Sequence, residues 1–370
     1  MLVHNAVQAS VVINNRNYGR FLRDAIESAI TQTYQLTEVV VVDDGSTDNS
    51  RDVIAGFEDR VKVVLKENGG QGSAFNTGLA ASRGEIILFL DSDDVLLPMA
   101  AETAVSLLRE DGDVVKVHWR LRVIDENGRE TGQLRPGGNL ADGDLREAAF
   151  RLGPTQHLSA PTSGNAWSRR FLESIFPVPE IFRQGADTYL FELAPFFGIV
   201  RRLAEPQSCY RKHTGNFHAK MSLEQKLSRQ VAFYEACVSK LEACFGVVDS
   251  GVWRRHSWWH RQAQAVVEIA ALPKANRPII VVDEGAWEVG PIAGRTRRPF
   301  LEKDGEFYGS PPDDETAIRE LERMRQQEAG FIVFAWPAFW WLQHYCVFHG
   351  YLRSKYPCVL ENERLVVFEL

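Results

Sequence analysis

The chain has 370 residues, of which 45% are hydrophobic and 25% are charged, as is usual for a globular protein with room for two domains. Its formal net charge is −7 and it has no long basic run, which excludes a nucleic-acid partner recognised through a basic surface. No apolar stretch approaches the roughly 20 residues that a membrane-spanning helix needs, and the first residues do not resemble a signal peptide. We therefore expect a cytoplasmic protein. Peripheral association with the inner face of the membrane and a homodimer are left open.

The five cysteines are widely spaced and include no Cys-x-x-Cys pair. An odd number of cysteines in such an arrangement indicates neither a disulfide framework nor a zinc ribbon. We predict that they are reduced thiols.

The first ninety residues alternate apolar runs with amphipathic stretches. The runs at 9–13, 39–42, 61–65 and 86–90 have the length and composition of buried strands, and the segments between them space their apolar residues as helices do. Alternation of strand and helix predicts an α/β fold with a doubly wound sheet that is parallel in this part of the chain.

The pattern changes beyond residue 95. Clusters of Pro and Gly predict loops up to about residue 220. Between residues 221 and 245 the apolar residues recur at spacings of four and three, which predicts a helix whose apolar stripe packs against its own domain. A seam between two copies of the chain is the alternative interpretation of this stripe.

A second α/β unit is predicted near the end of the chain. A strand at 278–282, a helix that follows Pro311 and Pro312, and strands at 331–335 and 365–370 indicate a small module. The predicted organisation is a first domain over 1–220, a helical connector over 221–274 and a C-terminal module over 275–370.

Polar residues follow each of the four apolar runs of the first domain. They are residues 14–17, the pair Asp43 and Asp44, residues 68–72 and residues 91–94. The ligand crevice of a parallel sheet lies beyond the carboxyl ends of its strands, so these residues are expected to face one pocket. Carboxylates gathered there suit Mg²⁺ or Mn²⁺, and such a cation suits a diphosphate. For any single acidic turn, a turn followed by a helix cap is the simpler interpretation.

The segment from Ser10 to Pro98 contains the sequences V-V-D-D-G-S-T-D, N-x-G-x-x-x-x-x-N-x-G and L-D-S-D-D. With these motifs it resembles the nucleotide-sugar-binding half of a family 2 glycosyltransferase with a GT-A fold, which implies a doubly wound mixed sheet for the whole domain. It implies a nucleotide-diphosphate-sugar as donor, an acceptor hydroxyl on a saccharide or a lipid-linked molecule, and a divalent metal, Mg²⁺ or Mn²⁺, as cofactor.

The same resemblance implies roles for individual residues of this segment. Asp44 would accept a hydrogen bond from the nucleotide base, and Asn14 and Arg16 would line the base pocket. The nucleotide-sugar site would also include Asn76, Asp91 and Asp93, and the last two would form the D-x-D that meets the ribose and the metal. The chain has Arg16 where many relatives have tyrosine, so the identity of the nucleotide is left open.

Two later segments resemble the family as well. Residues 184–190 resemble the segment that carries the catalytic base, which would be Asp187; without the resemblance a helix cap is the simpler interpretation. Residues 210–216 resemble the Y-R-x-H-x-x-N loop that closes over the diphosphate, which implies that Arg211 and His213 bind the nucleotide-sugar. A solvated basic loop is the alternative.

These observations predict an inverting, metal-dependent hexosyltransferase that acts in the assembly of bacterial surface polysaccharide or glycoconjugates. Nucleotidyl transfer is a rival hypothesis, although the residues after the first strand lack the glycine-rich basic loop that it needs. An NAD-dependent oxidoreductase is disfavoured because no G-x-G-x-x-G follows that strand. A catalytically silent sugar-nucleotide-binding or scaffolding protein is the third alternative.

Overall fold

The computed structural model describes residues 7–154, 157–214, 221–246, 248–287 and 290–370. The chain forms two compact units. The first comprises Met1–His218 and Ala232–Trp253, and the second comprises Ala219–Val231 and Arg254–Leu370. The boundaries expected from the sequence, at 220 and 274, stay predictions, because the helical segment between them contributes residues to both units.

The first unit is built from strands and helices that alternate over its first hundred residues. Its strands are β1 (Ala9–Asn15), β2 (Thr37–Asp44), β3 (Lys62–Lys66), β4 (Ile86–Asp91), β5 (Val95–Leu96), β6 (Val114–Trp119), β7 (Leu121–Ile124), β8 (Glu130–Arg135), β9 (Asn165–Ser168), β10 (Ile199–Leu203) and β11 (Ser208–Arg211). Its helices are α1 (Gly19–Ile30), α2 (Ser50–Ala55), α3 (Gln71–Ala81), α4 (Ala100–Glu110), α5 (Arg146–Leu152), α6 (Arg169–Ile175) and α7 (Ala186–Phe197). Helix α8 (Leu223–Phe245) follows, with its residues from Ala232 onward in this unit.

The main sheet has the strand order β10-β6-β9-β4-β1-β2-β3. Strands β4, β1, β2 and β3 are mutually parallel, as the sequence predicts, whereas β9 lies antiparallel between β4 and β6. The predicted doubly wound mixed sheet is therefore confirmed. A smaller sheet with the order β5-β11-β7-β8 lies beside the acidic turn that ends β4.

Each face of the main sheet is covered by an apolar core. On one face Val12, Val40 and Val42 pack with residues of α3, α6 and α7, and on the other face Val11 and Val41 pack with residues of α1 and α4. Burial on both faces explains why the sequence shows continuous apolar runs instead of alternation.

Helix α3 packs closely on the sheet at Gly78. A Cβ atom added there would lie 2.2 Å from Cγ1 of Val12, so a larger residue would push the helix away from β1. The last glycine of the N-x-G-x-x-x-x-x-N-x-G sequence is therefore explained by packing.

The second unit contains the remaining elements. They are α9 (Ser250–His256), which begins in the first unit, α10 (Trp258–Ala270), β12 (Ile279–Val282), β13 (Arg297–Pro299), β14 (Glu302–Lys303), β15 (Glu306–Phe307), α11 (Asp314–Arg325), β16 (Phe331–Ala335), α12 (Trp341–His344), α13 (Cys346–Lys355), β17 (Cys358–Glu361) and β18 (Leu365–Glu369). Its sheet has the order β13-β12-β16-β18-β17, with β13, β12 and β16 parallel. The predicted C-terminal α/β module is present, and the Asp313 side chain caps α11 by accepting a hydrogen bond from the backbone N–H of Thr316 at 2.8 Å.

The apolar residues of α8 pack in the core of the unit to which each of them belongs. Leu227 lies in a core of the second unit, while Tyr234, Val238 and Leu241 lie in a core of the first. The five cysteines are free thiols. Among the residues described, no helix has both the length and the apolar character needed to cross a membrane.

Candidate functional site

The carboxyl ends of β1 and β4 bring Asn14 and Asp91 together. The two residues are direct neighbours in the register of the parallel pair, and Nδ2 of Asn14 donates a hydrogen bond to Oδ1 of Asp91 at 2.8 Å. The backbone N–H of Asp91 donates to Oγ of Ser163 at 3.1 Å. Residues from two neighbouring strands and from the segment before β9 therefore meet at this end of the sheet.

The turn that follows Asp91 is held by Arg211. The backbone N–H of Arg211 donates to the buried carboxylate of Asp94 at 2.9 Å, and its Nε donates to the backbone carbonyl of Asp93 at 2.9 Å. Its Nη2 forms an ion pair with Asp24 at 2.8 Å. The buried guanidinium of Arg211 thus shapes the D-x-D turn, and its predicted contact with the nucleotide-sugar stays a prediction.

His213 lies against Asp93. Its Nε2 is 3.0 Å from Oδ2 of Asp93, and its ring packs on Tyr18 and Phe21. Nη2 of Arg20 is 3.1 Å from Nδ1 of His213, and because a guanidinium can only donate, Nδ1 accepts and Nε2 carries the hydrogen that faces Asp93. His213 and Asp93, which are both predicted to belong to the nucleotide-sugar site, are therefore adjacent.

Acidic side chains crowd one another at this turn. Burial and the neighbouring Asp93 raise the pKa of Asp91 to about 7, and burial raises the pKa of Asp94 well above its usual range. Burial and the charges of Asp93 and Asp91 also raise the pKa of Tyr18 to about 12. Carboxylates that crowd one another in this way would be stabilised by a cation.

Asp44 lies at the end of β2 and anchors the loop after β3. Its Oδ1 accepts a hydrogen bond from the N–H of Gly69 at 2.8 Å, its Oδ2 accepts one from the N–H of Gly70 at 2.7 Å, and Nζ of Lys66 lies 2.6 Å from Oδ1. Arg16 is exposed beyond the end of β1. The predicted roles of Asp44 and Arg16 toward the nucleotide base stay predictions.

Asn76 is engaged with the backbone of a distant segment. Its Nδ2 donates to the carbonyl of Val178 at 3.0 Å, and its Oδ1 accepts from the N–H of Val178 at 2.7 Å. These two bonds tie α3 to the segment that precedes α7. The geometry supports a structural role for Asn76, and its predicted contact with the nucleotide-sugar stays a prediction.

Asp187 lies in the first turn of α7 and is partly buried. Its Oδ2 accepts hydrogen bonds from the backbone N–H of Thr162 at 3.1 Å and from the Thr162 hydroxyl at 3.3 Å, and its Oδ1 accepts one from the N–H of Thr188 at 3.0 Å. Burial raises the pKa of Asp187.

Gln71 connects Asp187 with Asp91. Its Nε2 lies 3.2 Å from Oδ1 of Asp91 and 3.3 Å from the Thr162 hydroxyl, and its Oε1 accepts from the N–H of Ala186 at 3.0 Å. Asp91 and Asp187 are also close enough to interact electrostatically. Two carboxylates that are far apart in the sequence therefore lie close together in the structure.

The sequence predicts that residues 68–72, which include Gln71, face the pocket, but it gives no individual role to Gln71 or Thr162. Gln71 occupies an unassigned position of the N-x-G-x-x-x-x-x-N-x-G stretch, at the first residue of α3 after the left-handed Gly70. Thr162 falls in a Pro- and Gly-containing segment that predicts only a loop. For Gln71 the signal in the sequence is its place after the third predicted strand, as a polar residue at the start of a helix.

Similarity to known proteins identifies the family of this site. The family described as Glycosyl transferase family 2 matches residues 10–176. An uncharacterized glycosyltransferase of Nostoc sp. is 39% identical over 235 residues, which cover 62% of this chain and 72% of that protein. The chain belongs to glycosyltransferase family 2. The resemblance seen in the motifs is thereby confirmed, and with the mixed sheet it confirms the GT-A class of fold and transferase activity.

This family 2 glycosyltransferase is also similar to other proteins over parts of its length. Glycosyltransferase GlyG of Streptococcus pneumoniae is 41% identical over 111 residues, which cover 29% of this chain and 37% of that protein. The structure of S. aureus TarS 1-349 in complex with UDP-GlcNAc aligns with 71% of this chain and 80% of that chain, at 19% identity and a TM-score of 0.48. The mannosyltransferase PcManGT of Pyrobaculum calidifontis, in complex with GDP-Man and Mn²⁺, aligns with 73% and 77% at 17% identity and a TM-score of 0.43.

The carboxylates of the acidic turn fit a divalent metal whose remaining ligands come from water and the substrate. In the part of the chain that the structure describes, no group of three or more acidic, histidine or cysteine side chains is arranged as a metal site. Mg²⁺ is commonly bound by one or two carboxylates, waters and substrate phosphates, and the crowded carboxylates of Asp91 and Asp93 meet that requirement.

Proposed function

We propose that this family 2 glycosyltransferase is an inverting, metal-dependent enzyme that transfers a hexose from a nucleotide-diphosphate-sugar to an acceptor hydroxyl. The observation that carries the proposal is the closeness of Asp91 and Asp187, which are connected by hydrogen bonds through Gln71 and Thr162. The acidic turn offers ligands for the metal and the diphosphate, and Asp187 offers a base for the acceptor. The same part of the structure then offers a group for the leaving diphosphate and a group for the attacking hydroxyl.

Asp91 and Asp93 would hold a divalent metal, either Mg²⁺ or Mn²⁺. Such a metal, when bound, neutralises charge on the diphosphate leaving group. Asn14 would keep the Asp91 carboxylate oriented through the bond at its Oδ1, and His213 would do the same for Asp93. Arg16, Asp44, Asn76 and Arg211 complete the proposed nucleotide-sugar site.

Asp187 would take the proton of the acceptor hydroxyl. Oδ2 accepts from both the N–H and the hydroxyl of Thr162, whereas Oδ1 accepts from the N–H of Thr188, so of the described contacts Oδ1 is the oxygen with a lone pair left for the acceptor. The acceptor oxygen forms its bond to the anomeric carbon as the bond from that carbon to the diphosphate breaks, the electron pair leaves with the diphosphate, and the proton moves to Asp187. The raised pKa of Asp187 makes it a stronger base for this step.

The acceptor is proposed to be a saccharide or a lipid-linked molecule that takes part in bacterial surface polysaccharide or glycoconjugate assembly, with the reaction on the cytoplasmic side of the membrane. This setting comes from the character of the family, not from a residue of the pocket. The C-terminal module has no assigned role in the transfer step.

Assays of the full-length chain with UDP- and GDP-sugars, with and without Mn²⁺, test the proposal. We expect one donor to release its nucleoside diphosphate faster in the presence of Mn²⁺ and of an acceptor, and NMR of the product to show an inverted anomeric centre. Binding of a nucleotide-sugar without any release would instead indicate a silent binding protein. Transfer of a nucleotidyl group, detected as pyrophosphate release from a nucleoside triphosphate, would replace the proposal with nucleotidyl transfer.

A further inference from the structure

A buried lysine lies beside the proposed catalytic base. Lys116 is in β6 opposite Trp167 of β9, and it is fully buried. Its Nζ lies 5.2 Å from the centre of the Trp167 ring and 5.7 Å from that of the Phe191 ring. Phe191 is one helical turn after Asp187 in α7, so the ammonium group lies on the side of the sheet that α7 covers.

An ammonium group is costly to bury unless other groups compensate its charge. Nζ of Lys116 donates a hydrogen bond to Oγ of Ser159 and interacts electrostatically with Glu192 and Asp187 of α7. Burial nevertheless lowers the pKa of Lys116 to about 7. Below about pH 7 the buried amine therefore carries a positive charge that an apolar residue would not supply.

The histidines that face Lys116 do not provide a competing positive charge. Burial and Lys116 lower the pKa of His118, on the same strand, to about 2, and they lower the pKa of His157, in the segment before Ser159, to about 3. Both histidines are therefore neutral at physiological pH. Of the described groups that face the ammonium, Asp187 and Glu192 are the acidic ones.

The hydrogen bond to Ser159 connects Lys116 with the segment that donates hydrogen bonds to Asp187. Three residues after Ser159, Thr162 donates both its N–H and its hydroxyl to Asp187. Nδ2 of Asn165 donates to the carbonyls of Ala160 at 3.1 Å and Pro161 at 2.7 Å. These two bonds fix the backbone between Ser159 and Thr162. Lys116 thus contacts the first residue of the segment 159–162, and the last residue of that segment donates hydrogen bonds to Asp187.

We propose that Lys116 is a positioning residue for Asp187, keeping that carboxylate ionised and fixing the 159–162 segment that grips it. The inference rests on the proposed function, because it assigns a supporting group to the base of that reaction. It predicts two separable effects of losing the ammonium group, one through charge and one through the position of Thr162.

The charge effect has a definite sign. A nearby cation stabilises the ionised form of a carboxylate, so removing it raises the pKa of Asp187 further above the value that burial already gives. The base would then be protonated up to a higher pH, and the acidic limb of the kcat profile would move to higher pH. A purely positional effect lowers kcat equally at all pH values.

Kinetics of full-length variants at saturating Mn²⁺ test the inference. For Lys116→Met we expect kcat at pH 7 to fall about 30-fold, the KM for the donor to stay within about threefold, and the acidic limb to move up by about one pH unit. Lys116→Arg keeps the charge, so its acidic limb should stay at the wild-type pH and its kcat within about fivefold of wild type. Lys62→Met, which removes an exposed lysine of β3, is the matched control and should behave as wild type.

Ser159→Ala provides a second variant that keeps the lysine. Loss of the hydroxyl is expected to lower kcat about fivefold without moving the acidic limb, because the charge beside Asp187 is retained. This variant measures the positional effect by itself. It remains informative if Lys116→Met does not fold, as judged by the loss of a cooperative thermal transition.

The inference is overturned if Lys116→Met retains the kcat and the pH profile of the wild type, or if Lys116→Arg shows the same shift as Lys116→Met. It is separable from the proposed function. Loss of activity in Asp187→Asn together with normal kinetics in Lys116→Met would remove the role of Lys116 alone, whereas full activity in Asp187→Asn would remove the proposed base.

Discussion

Replacing Asp187 by asparagine is expected to lower kcat for sugar transfer about a thousandfold while the affinity for the donor stays within about threefold of wild type. An amide cannot take the proton of the acceptor hydroxyl. The donor ligands, by contrast, are proposed to lie on the acidic turn after β4 and are unchanged by the substitution. Initial rates over a range of acceptor concentrations, with donor binding by calorimetry, measure both quantities.

The substitution also has a structural effect that must be controlled. Both oxygens of Asp187 accept hydrogen bonds from N–H groups, so the NH₂ of asparagine would face Thr162 or Thr188 as a second donor. We expect a loss of stability of about 1 to 2 kcal/mol, visible as a lower melting temperature. A variant that melts at a lower temperature but keeps wild-type kcat would contradict the base role of Asp187.

Replacing Asp93 by asparagine is expected to weaken metal-dependent donor binding at least about fiftyfold and to lower kcat/KM about a thousandfold. Asparagine has nearly the same shape and can still accept a hydrogen bond from Nε2 of His213, so the turn should keep its conformation. What is lost is the negative charge that the metal requires. Calorimetric titration of the nucleotide-sugar, with and without Mn²⁺, measures the loss.

The metal-free protein should respond to the same substitution in the opposite way. Asp93 raises the pKa of Asp91, so its charge destabilises the ionised form of that neighbour. Removing the charge should therefore leave the melting temperature of the metal-free protein equal or higher, while the stabilisation by Mn²⁺ and nucleotide disappears. The exposed residue Asp59, outside the pocket, gives the matched control Asp59→Asn, which should keep both properties. A lower melting temperature with unchanged metal dependence would indicate that Asp93 has only a structural role.

The sequence predicts the part of the fold that depends on local pattern. Strands β1 to β4 follow from apolar runs of strand length, and their parallel arrangement follows from the helices between them. The place of β9 could not be predicted, because a strand of four residues gives little periodic signal. Its position between β4 and β6 depends on pairing with residues about 80 positions earlier and about 50 positions earlier.

The candidate site divides in the same way. The pairing of Asn14 with Asp91 follows from the register of parallel strands, and the acidic turn follows from a recognisable motif. The hydrogen bonds from Thr162 to Asp187 and those made by Gln71 join residues 20 to 115 positions apart, and such contacts exist only after the chain has folded. For Lys116 the signal in the sequence is a lysine within the apolar run of β6.

Arg211 shows how a motif can name a residue without naming its contacts. The family resemblance implies a role beside the diphosphate, which a cationic side chain would serve directly. In the structure its guanidinium is buried and bonded to Asp24 and to the backbone of the acidic turn. An effect of Arg211 on donor binding would therefore be transmitted through the shape of the D-x-D turn.

The most direct measurement is anomalous diffraction from crystals of the full chain that contain Mn²⁺ and UDP or GDP. We expect a manganese peak about 2.2 Å from a carboxylate oxygen of the acidic turn and at a similar distance from a diphosphate oxygen, with Asp187 open to the same cavity. A nucleotide bound in a different cavity, or manganese bound away from Asp91 and Asp93, would contradict the account.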